Sequence, residues 1–220
     1  MAIKLLVSGQ SNAGKTTLTE PLKDTLVMSH DGKNYPFPIP HTNITTFDSV
    51  DELIKLTNSK IEAYKSKFST YPATIVWDSV SKIFDTILDN CNQKHTGFKV
   101  YSELDREINE FTSYVQNTLI GSDINVVLIS HAIWDPDTAM YNLVGKGNFA
   151  KRGGFLAEVD NSVFVETKNN KRIIHHRSTK FPARTVLNDL PASQPVESYN
   201  LAEHMAQLSK LTDQVVDFEL

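Results

Sequence analysis

Along the chain, apolar runs of strand length alternate with stretches in which apolar residues recur every three to four positions. This alternation predicts an α/β fold, in which helices cover a mostly parallel sheet. Residues 2–8 (AIKLLVS) read as a buried strand. Lys15 to Thr25 reads as a helix with Leu18 and Leu22 on one face, but Pro21 removes a backbone donor and predicts a kink or an early end. A second strand is expected from Thr25 to His30. Residues 32–42 contain three prolines and read as an extended surface loop, followed by a short strand from Asn43 to Phe47. Asp48 is a candidate cap for the next helix, on which Val50, Leu53, Ile54, Ile61, Tyr64 and Phe68 recur.

Residues 73–77 (ATIVW) then form an expected buried strand. Two apolar stripes of helical period follow, one through Val80, Ile83, Phe84, Ile87 and Leu88, the other through Leu104, Ile108, Phe111, Val115 and Leu119. Between them lies a predicted loop, 93–100. A strand from Asn125 to Ser130 ends at His131 and opens into a long segment, 132–154, of a length that marks functional or mobile loops. Strand-like runs near 160–166, 171–177 and 183–187 come next, with Asn169-Asn170 as a hairpin turn. Residues 191–198 (PASQPVES) read as a linker, and Asn200 with Glu203 starts a last helix through Leu201, Met205, Leu208, Leu211 and Val215. The predicted organisation is a core over 1–190, then a linker, helix and acidic tail over 191–220, the tail running from Asp213 to Leu220 with Asp217 and Glu219.

Composition narrows the function. Hydrophobic residues make up 40% of the 220 positions and charged residues 22%, which places the chain among folded globular proteins. The formal charge of −4 excludes a uniformly basic nucleic-acid coat, so any nucleic-acid site must be a local patch. Cys91 is the single cysteine, which excludes an intramolecular disulfide and fits a reducing compartment. The longest aliphatic runs fall far short of the roughly 20 residues that span a bilayer. A soluble, cytoplasmic protein without a membrane partner is the expectation.

The strongest chemical signal is Gly9-Gln10-Ser11-Asn12-Ala13-Gly14-Lys15-Thr16, with Thr17 behind it, which matches the phosphate-binding pattern G-x-x-x-x-G-K-[ST] between an expected strand and an expected helix. The glycines let backbone N–H groups close around phosphate oxygens, and a helix N-terminus adds a favourable field. Lys15 would reach the β- and γ-phosphates, and the Thr16 hydroxyl would ligate Mg²⁺. A magnesium site also needs a carboxylate at a neighbouring strand end, and Asp78 stands there, where it could equally cap the next helix.

With these residues the chain resembles the RecA-core ATPases, whose strand-Asp-Ser signature is similar to Ile75-Val-Trp-Asp78-Ser79. More narrowly, it resembles small phage-encoded RecA-core proteins implicated in single-strand annealing and recombination. The likeness covers about residues 1–190 and implies ATP and Mg²⁺ as cofactors, with a parallel sheet carrying the phosphate loop near its centre. It further implies a catalytic carboxylate after the second strand, which falls on Asp31, with Asp48 as a competitor. A polar switch residue falls on His131. DNA-contacting loops fall on 93–100, with Lys94 and Lys99, and on 132–154, with Lys146, Lys151 and Arg152. Phe98 and Tyr101 could stack bases beside the first loop or belong to the core.

Basic residues that reach a neighbouring subunit's γ-phosphate in such proteins are matched in position by Arg177, Lys180 and Arg184, which could equally be a solvated basic face or contact a nucleic-acid backbone. The implied partners are single-stranded DNA, further copies of the chain in a ring or filament, and a single-strand DNA-binding protein, in a phage-infected bacterial host. The function so read is a Mg-dependent ATPase acting on single-stranded DNA in recombination or replication. A small-molecule or nucleotide kinase and a non-hydrolysing nucleotide-dependent interaction module are the alternatives.

Overall fold

A computed structural model describes residues 2–212. The predicted acidic tail and Val215 lie outside the described residues. In chain order the elements are β1 (Lys4–Gly9), β2 (Thr25–Ser29), β3 (His41–Asn43), α1 (Val50–Phe68), β4 (Thr74–Asp78), α2 (Val80–Lys94), α3 (Phe98–Ser113), β5 (Asn125–Asp135), β6 (Met140–Leu143), α4 (Gly147–Lys151), α5 (Phe155–Glu158), β7 (Asn161–Lys168), β8 (Lys171–His175), β9 (Ser193–Pro195) and α6 (Leu201–Thr212). Among the described residues, nine strands form one sheet in the order β3-β2-β4-β5-β1-β7-β8-β9, with β6 paired to the outer end of β5. The strands from β3 to β7 run parallel; β8, β9 and β6 join antiparallel.

Successive side chains of the central strands point to opposite faces, and both faces are covered, so the strands read as continuous apolar runs. Leu6, Met28, Trp77 and Leu128 pack on one face with α1, α2 and α3. Leu5, Val7, Val27, Val76 and Ile129 pack on the other, against Leu18, Phe37, Ile39 and the α6 residues Leu201, Met205 and Leu208. That second covering has a clear cause. The helix expected from Lys15 to Thr25 is a single 3-10 turn, Thr16–Thr19, because Pro21 stops it. The proline-rich loop and α6 fill the space a longer helix would have taken.

Other elements differ from expectation for local reasons. Ser49, not Asp48, caps α1: its hydroxyl accepts from the Glu52 amide at 3.3 Å, while the Glu52 carboxylate accepts from the Asp48 amide at 2.7 Å. The third strand lies at His41–Asn43, and Ile44 and Phe47 are buried beyond its end. The helix after Phe98 widens at Tyr114 into a π turn through Leu119. β5 runs on past His131 to Asp135 and folds back as β6, so the long loop expected at 132–154 is a hairpin followed by the short helices α4 and α5. The run at 183–187 contributes only a bridge between Arg184 and Ser162. The stretch read as a linker contains β9, which pairs with β8. The hairpin turn at Asn169 and Asn170 forms as expected, with φ of 50° and 60°.

The end of β8 and α6 are joined through a buried imidazole pair. His176 and His204 lie with ring centroids 5.5 Å apart, and the Tyr199 hydroxyl sits 2.8 Å from His204 Nδ1. Burial pushes both imidazoles down to about 4, the neighbouring Arg177 charge adding to the effect at His176. Unfolded, they titrate near the ordinary 6.5. The folded state therefore binds fewer protons between these values: stability is complete above about pH 6.5 and is lost as pH falls towards 4. Urea unfolding should show a loss on the order of 1–2 kcal/mol per imidazole between pH 7 and pH 5, and a His176→Leu/His204→Leu variant should narrow that difference. An unchanged difference would show that the pair does not couple folding to pH.

Candidate active site

The site is built where the ends of β1, β4 and β5 meet. β1 and β4 are not neighbours; β5 lies between them, with His131 in register with Gly9 and Ile129 with Asp78. The phosphate-type loop leaves β1 at Gly9, where an added Cβ would stand 2.5 Å from the Val165 carbonyl oxygen. Ser11 and Asn12 are exposed at its tip, Ala13 is buried, and Gly14 has φ of +88°, a conformation that favours glycine. The buried Lys15 side chain turns back along the loop and donates to the carbonyls of Gly9 at 3.1 Å and Gln10 at 2.7 Å, and its Nζ lies 3.3 Å from His131 Nδ1. Desolvation lowers its pKa to about 8, against the opposing pull of Asp78.

Thr16 donates its hydroxyl proton to Asp78 Oδ2 at 2.8 Å, across the end of β5. Asp78 is 3% exposed, and burial raises its pKa, opposed by its hydrogen bond from Thr16. Its second donor is the Tyr35 hydroxyl, at 3.2 Å, delivered by the proline-rich loop. Asp31 follows β2 and faces the same place: its Oδ1 accepts from Ser79 at 3.3 Å and its Oδ2 pairs with Lys33 at 2.5 Å. A hydroxyl and a buried carboxylate are hard oxygen donors suited to Mg²⁺, so the residues present fit the group that the loop motif implies.

Residues 1–184 match the family model described as AAA domain. The chain belongs to the AAA domain family. A comparison with curated proteins finds no match. The family and the α/β sheet together make the chain a nucleotide-binding, P-loop ATPase-type domain, and no helix of its described residues is long and apolar enough to cross a membrane.

In this AAA domain, Lys15, Thr16, Asp31, Asp78 and His131 come together, whereas most of the other candidate cations are engaged elsewhere. The Arg177 guanidinium donates to the Leu190 carbonyl at 2.6 Å and to that of Leu187, pinning the loop before β9. Arg184 donates to the Val159 carbonyl. These two finger candidates serve backbone acceptors of their own chain. Lys180 lies over the Trp134 ring, 5.1 Å from its centroid. Lys94 ends α2 and donates to the Asp48 carbonyl, Lys146 pairs with Asp85 at 2.9 Å, and Lys99, Lys151 and Arg152 are exposed. The predicted loop at 93–100 shrinks to residues 95–97, since Lys99 sits on α3. Phe98 and Tyr101 do not join the core; Phe98 is 85% exposed.

Other participants were not foreseen from the sequence. Arg172 on β8 reaches the phosphate loop, for a Cβ added to Gly14 would stand 2.8 Å from its Nη1. Because the turn after Thr16 is too short for a helix field, the positive charge at the loop comes from Lys15 and Arg172. Gln10 donates from Nε2 to the Tyr141 hydroxyl on β6 at 2.6 Å, and Ser81 accepts from the His131 amide at 2.9 Å. Lys33 and Tyr35 belong to the same set. Their signal was the closeness of a Lys and a Tyr to Asp31, but nothing in the spacing shows that the loop turns back.

Two substitutions separate structure from binding at this loop. Gly9→Ala forces a Cβ against backbone and should cost about 2 kcal/mol or more in thermal or urea unfolding. Lys15→Ala should leave the melting temperature of the nucleotide-free protein nearly unchanged while lowering affinity for a fluorescent ATP analogue by at least about tenfold. Equal affinity in Lys15→Ala would remove the lysine from the nucleotide site.

Proposed function

We propose that the chain is an ATP-binding, Mg²⁺-dependent ATPase that acts on single-stranded DNA in recombination or replication. The observation that carries this reading is the pair of direct links from the phosphate loop to the β5–β6 hairpin: Gln10 to Tyr141, and Lys15 to His131. A change in the loop on binding a triphosphate would therefore be felt at once along the hairpin.

In this reading Lys15 exchanges its carbonyl acceptors for β- and γ-phosphate oxygens, which are charged and bind an ammonium more strongly. Thr16 and Asp78 hold Mg²⁺, which supplies charge neutralisation at the phosphates when bound. Asp31 accepts a proton from the water that attacks the γ-phosphorus, and the bond to the β–γ bridging oxygen breaks. His131, beside Lys15, relays the loop's state to the strand that carries the hairpin.

The hairpin has a surface suited to unpaired bases. Trp134 is 43% exposed, with Lys180 over its ring and the exposed Ile133 and Met140 nearby in the hairpin. Behind it a cavity of about 620 Å³ is lined by Tyr141, Phe149, Phe181, Lys151 and Lys180 among others. Aromatic faces with cations beside them bind single strands through stacking and phosphate neutralisation. Copies of the chain in a ring or filament would align such hairpins along a strand.

ATP hydrolysis should rise when single-stranded DNA is added, and Lys15→Ala should abolish it. Asp31→Asn should retain nucleotide binding and slow turnover by about 10²-fold. Trp134→Ala should weaken DNA binding by about tenfold, in line with the loss of one stacked base. Hydrolysis indifferent to DNA, with binding unchanged in Trp134→Ala, would overturn the DNA assignment while leaving the ATPase reading intact.

A further inference from the structure

We propose that Lys33 is a catalytic cation of this site, supplied in cis, which leaves Asp31 for the γ-phosphate when a nucleoside triphosphate binds. The inference rests on the ATPase reading above.

Lys33 stands in the loop after β2, two residues beyond Asp31. Gly32 turns the chain with φ of +64°, and an added Cβ there would meet Thr45 Cγ2 at 3.3 Å. The turn brings Lys33 Nζ to 2.5 Å from Asp31 Oδ2. The other oxygen of Asp31 is held by Ser79, the residue after Asp78, and Asp78 is bonded to Thr16, the residue after Lys15. Lys33 is thus paired directly with Asp31, which Ser79 ties to the strand end that carries Asp78 and, through it, Thr16. Its charge also acts on Lys15, Asp78 and His131, which come from three different strand ends.

Two further facts favour a mobile role. The Lys33 side chain is 58% exposed, so its exchange between partners opens no core. Tyr35, two residues on, ties the same loop to Asp78, which keeps the lysine within reach. Meanwhile Arg177 and Arg184 are bound to carbonyls of their own chain. Without triphosphate, Lys33 neutralises Asp31 and holds it away from water. With triphosphate, the γ-phosphate offers a stronger anionic acceptor. The lysine then moves to it, Asp31 is released to take a proton from the attacking water, and the ammonium, keeping its own protons, stabilises charge on the transferring phosphoryl oxygens.

The test compares wild type, Lys33→Ala, Lys33→Arg and Lys15→Ala by titration with fluorescent ATP and ADP analogues, alongside steady-state hydrolysis. A contact specific to the γ-phosphate predicts that Lys33→Ala loses about tenfold in affinity for the ATP analogue, keeps its ADP affinity within about twofold, and loses about 10²-fold in kcat; Lys33→Arg should recover much of each loss. In an equal mixture of Lys33→Ala with Lys15→Ala, activity should stay at or below the mean of the two, as a residue acting within its own subunit requires. Restored activity in the mixture would overturn the cis assignment. Equal ATP and ADP losses, unchanged constants, or faster hydrolysis in Lys33→Ala would overturn the contact itself, the last by showing a latch on Asp31 alone. If wild type fails to hydrolyse ATP yet Lys33→Ala still loses its preference for ATP over ADP, the ATPase reading fails and the lysine contact stands.

Discussion

The hydrogen bond from Thr16 to Asp78 joins the ends of two strands that do not touch. β5 separates β1 from β4, so this contact exists only because the parallel register brings Gly9, His131 and Asp78 to one edge of the sheet. Asp78 is almost wholly buried, and a carboxylate in that position must be given donors, since leaving it without them costs about 1–3 kcal/mol or more. Thr16 supplies one from the phosphate loop and Tyr35 another from the far side. The need to satisfy one buried carboxylate therefore fixes the loop, the strand end and the segment after β2 relative to each other.

The segment from 31 to 40 answers two demands at once. Pro21 ends the turn after the phosphate loop, and the sheet face that a longer helix would cover is closed instead by Phe37 and Ile39 of the proline-rich loop and by α6. To reach that face the loop must cross the mouth of the site. The crossing places Lys33 on Asp31 and Tyr35 on Asp78. A packing requirement on one side of the sheet thus sets the polar groups at its edge.

Much of this was legible in the sequence, and the unread parts share a physical cause. The strand that leads into the phosphate loop and the strand that ends at Asp78 were readable because both faces of the sheet are covered and the apolar runs are continuous. The helices α1, α2 and α3 followed from their apolar stripes. The phosphate loop was readable because backbone geometry around phosphates restricts which residues can occupy its glycine, lysine and hydroxyl positions. What could not be read depends on which partners the side chains find, close in sequence for the α1 cap and far apart for the rest. Ser49 displaced Asp48 as a cap because Glu52 reached back to the Asp48 amide. Segment 132–154 became a hairpin because Tyr141 packs on Phe164 and Phe181, a contact that no local period encodes. Arg177 and Arg184 share polarity with any finger residue, and only the fold shows that backbone carbonyls already claim them.

The division between arginines and lysines follows from their chemistry. A guanidinium presents planar, fixed donors, so it suits carbonyls that stay where they are, such as those of Val159, Leu187 and Leu190. An ammonium is a compact charge on a flexible stem, with donors that rotate and acceptors that can be exchanged. Lys15 now rests on carbonyls of its own loop and Lys33 on a neighbouring carboxylate. Both arrangements neutralise or satisfy the site without demanding a rigid geometry. A site built this way can trade its internal acceptors for those of a phosphate chain while the arginine-pinned frame around it keeps its shape.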